Sequence, residues 1–126
     1  LQKPIQTKLI MADDNSIVQL DAGRVALTGT LSLEGKKRIT IRGAGMDKTI
    51  LSFAGQTDGA EGLRISNAEE IVLEGLTVED AKGDAVKAMN VRGIIFRNVK
   101  TAWTGKPSAK NGAYGLYPVQ CDGVLI

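Results

Sequence analysis

The chain contains no histidine among its 126 residues. That absence removes the commonest acid–base group near neutral pH and the commonest transition-metal ligand. A single cysteine, Cys121, leaves no internal disulfide and no multi-cysteine zinc site. Aromatic residues make up 4% of the sequence, so a core has to be built from aliphatic side chains. No apolar run approaches the roughly 20 residues that cross a bilayer as a helix, and no membrane insertion is expected. Sixteen basic against fourteen acidic residues leave a net charge of +2, spread along the chain. Without a concentrated basic patch no nucleic-acid partner is expected. Three prolines stand against fifteen glycines: the chain turns often, and it turns on glycine. What remains is ordinary for a globular protein, 43% hydrophobic and 24% charged. The length suits one domain or part of one.

Leu1, Ile5, Leu9 and Ala12 recur at helical spacing, and Asp13-Asp14-Asn15-Ser16 supply a polar stop. Beyond this point no helical period survives. Short apolar stretches follow, at Ile17–Leu20, Val25–Leu27, Leu31–Leu33 and Ile39–Ile41, separated by breaks rich in Gly, Asp, Asn or Lys. Such spacing predicts an all-β architecture, which a sandwich or a solenoid would satisfy equally.

An internal repeat decides between them. Ile71–Val78 aligns with Ile94–Thr101, and Ile39–Gly43 and Val124–Ile126 fit the same frame. The preceding segments align too: Gly62–Ala68 over Ala85–Val91, and then over Gly115–Cys121. A period in the twenties with longer, loop-bearing copies is the mark of a stacked repeat. The predicted fold is therefore a right-handed parallel β-helix, with residues 1–15 as an N-terminal capping α-helix and residues 16–126 as coils. Leu1, Ile5 and Leu9 would cover the first coil, whose edge would otherwise be exposed. The Val124-Leu125-Ile126 end falls inside a coil, so further coils of a longer chain are expected.

Stacking makes columns. Leu63, Val86 and Leu116 would point inward about 4.8 Å apart, as would Ile65, Ala88 and Pro118. Asn67, Asn90 and Gln120 would form an amide ladder, with a structural role. Cys121 falls under Ala68 and Val91, a small interior slot that suits a structural thiol. Outward columns join Arg64 to Lys87 and Tyr117, Glu61 to Asp84 and Tyr114, and Arg42 to Glu74 and Arg97. The last alternates in sign and reads as an ion ladder.

The stretch Ile39-Thr40-Ile41-Arg42-Gly43-Ala44-Gly45-Met46-Asp47-Lys48-Thr49-Ile50-Leu51 resembles the first coil of many secreted pectate-lyase-like β-helix proteins. The run Asn111-Gly112-Ala113-Tyr114-Gly115-Leu116-Tyr117-Pro118-Val119-Gln120-Cys121 resembles a group of bacterial parallel β-helix proteins of undefined activity. The resemblance implies a secreted or cell-envelope location in bacteria. The wider superfamily holds polysaccharide lyases, glycoside hydrolases, uronan epimerases and non-catalytic surface proteins, so the fold alone does not choose among them.

The side of a β-helix is a long shallow surface suited to a polymer chain, and the expectation is an acidic polysaccharide. A uronan lyase neutralises the substrate carboxylate, often with Ca²⁺ on Asp or Glu oxygens, and removes the adjacent proton with a base. Glu79, Asp80 and Asp84 are the candidate Ca²⁺ ligands, and Lys87 with Asp84 the candidate catalytic pair. A hydrolase would instead need two carboxylates about 5–9.5 Å apart, for which Asp80 and Asp84 are available. The plain alternative for this segment is a solvated turn. Trp103, Tyr114 and Tyr117 flank the longest insertion and could stack a sugar ring beside Arg64; Trp103 could equally pin the loop to the coil. A non-catalytic, glycan-binding or structural surface β-helix is the competing class.

Overall fold

The computed structural model describes residues 2–103, 115–119 and 121–126; of Gln2, Lys3, Tyr117, Pro118, Val119 and Asp122 it describes the backbone alone. Among the described residues one helix, α1 (Gln2–Met11), precedes nine strands. The first coil holds β1 (Ile17–Gln19), β2 (Gly23–Ala26) and β3 (Gly29–Glu34). Next come β4 (Thr40–Arg42), β5 (Thr49–Ser52), β6 (Asp58–Glu79), β7 (Val86–Ala102), β8 (Leu116–Val119) and β9 (Asp122–Leu125). Every strand pairing is parallel. The result is a parallel β-solenoid of about four turns with a short N-terminal helix. The registers match the repeat: Leu63 lies against Val86 and Val86 against Leu116, while Ile71 lies against Ile94 and Ile94 against Val124.

Where the sequence suggests several short strands per coil, β6 and β7 run unbroken for 22 and 17 residues. Single residues in the left-handed region bend them without interrupting the ladder. Gly35, Asn67 and Asn90 (φ 71°, 50° and 56°) stack at one corner. Asn15, Arg38, Glu70, Gly93 and Gly123 (φ 66°, 54°, 53°, 81° and 65°) stack at the next. This conformation costs an ordinary L-residue about 1–2 kcal/mol, whereas Gly adopts it freely and Asn more readily than most.

Inward positions form aliphatic columns. Val18, Ile41, Leu73 and Phe96 make one, Leu31, Leu63 and Val86 a second, and Leu33, Ile65 and Ala88 a third, all at most 5% exposed. These stacks explain how a chain so poor in aromatics closes its core. The helix meets this core through Leu9, which is 1% exposed, with Ile5 and Ala12 packed beside it; Leu1 lies outside the described residues. Gln6 attaches the helix to β3: its Nε2 donates to the Ser32 carbonyl, and the Ser32 N–H donates to its Oε1, both at 3.0 Å. One side-chain amide thus supplies the two bonds a neighbouring strand would make. Lys36 Nζ donates to the Ile10 carbonyl at 2.9 Å, placing a cation where the helix dipole is negative. Among the described residues no helix is long and apolar enough to cross a membrane.

Candidate functional site

The face presented by β3, β6 and β7 carries the first outward column. Ser32 stands against Arg64, Arg64 against Lys87, and Lys87 against the Tyr117 backbone. Strand alternation turns Leu63 and Ile65 inward, so Arg64 between them is exposed. Lys87 is half-buried in the same column. Two basic residues therefore stand on adjacent strands, whose backbones are about 4.8 Å apart. A second outward column, Glu34, Ser66 and Met89, separates them from the corner.

At that corner the predicted amide ladder is present through its first two rungs. Asn90 Nδ2 donates to Asn67 Oδ1 at 2.8 Å, and Asn67 Nδ2 donates to Glu34 Oε1 at 3.3 Å; Gln120 lies outside the described residues. Beside it is a shallow polar depression of about 330 Å³ lined by Lys37, Asn67, Glu69, Asn90 and Arg92. Within it Glu69 lies 3.7 Å from Lys37 and 3.8 Å from Arg92. Lys37, Glu69 and Arg92 thus form an ion ladder whose spacings of 32 and 23 residues are those of Arg42, Glu74 and Arg97. In the ladder expected from the sequence, Glu74 takes Arg42 at 2.9 Å and Arg97 at 3.4 Å. The basic partners in both ladders are exposed, and each pair contributes about 0–1 kcal/mol.

The residues proposed for metal and acid–base work are distributed differently. Glu79 is 6% exposed and is bound to Arg24. Strand geometry causes this, because Glu79 closes β6 two positions beyond the column that Arg24 opens. Asp80 occupies a left-handed corner (φ 62°), and its N–H donates to the Ala102 carbonyl at 2.9 Å. Asp84 precedes β7, its carbonyl accepting the Gly62 N–H at 3.0 Å. Among the described residues no three His, Cys, Asp or Glu side chains gather so as to hold a metal ion. Glu79, Asp80 and Asp84 are close in sequence, but the corner at Asp80 turns the chain between them, and Glu79 is engaged by Arg24.

Trp103 resolves toward its structural role. Its Nε1 donates to the Ala81 carbonyl at 2.7 Å, and the half-buried ring packs against the core. Tyr114 lies outside the described residues, as does the side chain of Tyr117. Cys121 is half-buried against the core, its Sγ donating to the Ala88 carbonyl at 3.5 Å. Of the sequence-derived site residues, the structure places Arg64, Lys87 and the Tyr117 backbone in one column.

No protein-family model and no curated protein matches the chain. Among solved structures it is similar to one described as a "putative glycosyl hydrolase" from Parabacteroides merdae, with a TM-score of 0.62. The match covers 98% of this chain and 72% of that one at 14% identity. The likeness is one of fold. It agrees with the parallel solenoid and leaves the pectate-lyase-like resemblance without a family match.

Proposed function

We propose that this β-helix binds an acidic polysaccharide along the β3–β6–β7 face, with Arg64 and Lys87 as its principal contacts. The observation that carries the reading is their stacking in one outward column on a regular parallel sheet. A polymer with repeated carboxylates meets cations on two successive coils there, and the two individually weak contacts add along the chain. The Asn67–Asn90 ladder beside the column offers amide donors and acceptors of the kind that recognise sugar hydroxyls. The described glycosyl hydrolase of similar fold is consistent with a carbohydrate ligand. Lyase chemistry is the finer form of the proposal: Lys87 as the base, with Asp84 close to it in sequence at the start of the same strand.

Binding to polygalacturonate, to its carboxyl-reduced derivative and to a neutral glucan tests the reading, with the ultraviolet absorbance of an unsaturated product followed with and without Ca²⁺. The acidic polymer is expected to bind and the two neutral ones not, with affinity falling as salt rises. Arg64→Ala should weaken binding about tenfold, the loss of roughly 1.4 kcal/mol. Equal binding of all three polymers would overturn the acidic ligand. Binding without product would restrict the protein to recognition, and product formation unchanged in Lys87→Ala would remove Lys87 as the base.

A further inference from the structure

We propose that Glu34 is a positioning residue: it fixes the sense of the Asn67–Asn90 amide ladder, and through it the direction in which a glycan chain lies on the β3–β6–β7 face. The inference rests on the polysaccharide reading and adds what the two basic residues alone do not supply.

Arg64 and Lys87 stand opposite each other in one column. Their charged groups only donate hydrogen bonds, so a chain of sugar units meets the same contacts whichever of its ends comes first. A polysaccharide has two different ends. Choosing between them takes groups held in a fixed order of donor and acceptor, and the neighbouring corner holds such groups.

Gly35, Asn67 and Asn90 stack at that corner, all with positive φ. Gly35 has no side chain, so no amide continues the ladder from Asn67 toward β3. The carboxylate of Glu34, one residue earlier, closes it instead. A carboxylate accepts, whereas an amide both donates and accepts. Asn67 therefore turns its Nδ2 to Glu34 Oε1, at 3.3 Å. Its Oδ1 is left facing β7, where Asn90 Nδ2 donates to it at 2.8 Å. One donor-to-acceptor order thus runs from β7 through β6 to β3. Bonds in a single sense polarise one another, and ending on a carboxylate strengthens the last of them.

Each Nδ2 carries a second N–H beyond its ladder bond. Both asparagines are exposed, and both line the depression of about 330 Å³ shared with Lys37, Glu69 and Arg92. A chain lying along this edge meets an amide N–H and a carbonyl oxygen in the same order on each rung. Laid the other way, it sets donor against donor and leaves polar groups unpaired.

Two variants and two readouts test this. Glu34→Lys exchanges an acceptor for a donor and is expected to reverse the ladder; Glu34→Gln can act as either and should leave both senses populated. In the free protein the sense is read from the scalar coupling across the hydrogen bond. It should join Asn90 Nδ2 to Asn67 Cγ in the unaltered protein, and Asn67 Nδ2 to Asn90 Cγ in Glu34→Lys. Direction is read with a homogeneous oligogalacturonate carrying a nitroxide at its reducing end. The Ser32 and Lys87 amides lie two strand spacings, about 10 Å, apart, and their broadening should differ at least about threefold. That ratio should invert in Glu34→Lys and approach one in Glu34→Gln. An unchanged ladder sense in Glu34→Lys would overturn the positioning role. Equal broadening in the unaltered protein, or a ratio that neither variant moves, would overturn the choice of direction. A reversed ladder with no oligogalacturonate binding to any of the three proteins would overturn the polysaccharide reading, and the direction with it, while upholding Glu34 as the residue that orients the amides.

Discussion

β3 and β2 belong to the same coil and face the same end of the solenoid, yet of these two strands, among the described residues, α1 pairs with the backbone of β3 alone. At β3, Gln6 supplies a donor and an acceptor to Ser32, and Leu9 fills the core beneath. At β2, an apolar cavity lies where a further strand would pack. The difference shows that a capping helix need not cover a solenoid evenly. A helix of ten residues is about 15 Å long, so it lies over one side of the cross-section and leaves the other.

The largest test of this contrast is Leu9→Ala, expected to destabilise by about 2–5 kcal/mol in denaturant unfolding because the vacated space is fully buried. Ile5→Ala, beside the existing cavity, should lose less than half as much; equal losses would mean that the helix seals both sides alike. Next is Gln6→Ala. Removing both surrogate bonds from partly buried groups should cost about 1–3 kcal/mol and speed amide exchange at Ser32. Asn90→Ala should cost about 1–2 kcal/mol by combining a lost ladder bond with the strain of a left-handed alanine, whereas Asn90→Gly should recover part of that loss. The smallest effect belongs to Arg97→Ala, at about 0–1 kcal/mol and diminished by salt, since its partner Glu74 retains Arg42.

The strand frame was legible because stacking converts a sequence shift into a spatial neighbour. Leu63 over Val86, Arg42 over Glu74 and Asn67 over Asn90 all follow from that one relation, and all are observed. The second ion ladder was equally readable from its spacing. The left-handed corners at Arg38 and Glu70 were not, because neither residue type favours that conformation; stacking on Asn15 and Gly93 imposes it. Nor could local sequence reveal that Glu79 reaches Arg24, 55 residues earlier. Nor could it reveal that the Trp103 N–H reaches the Ala81 carbonyl, 22 residues earlier. Of the candidate site, the column Arg64–Lys87 is the part that periodicity alone determines, and the functional proposal rests on it.

The most direct measurement is a titration of the protein with a homogeneous oligogalacturonate, followed amide by amide in solution. The account predicts saturable changes along Ser32, Arg64, Ser66, Lys87 and Met89, extending toward Asn67 and Asn90, and none at Arg24 or Ala26. Saturable changes confined to the end of the solenoid, or an absence of change anywhere at saturating oligosaccharide, would contradict it.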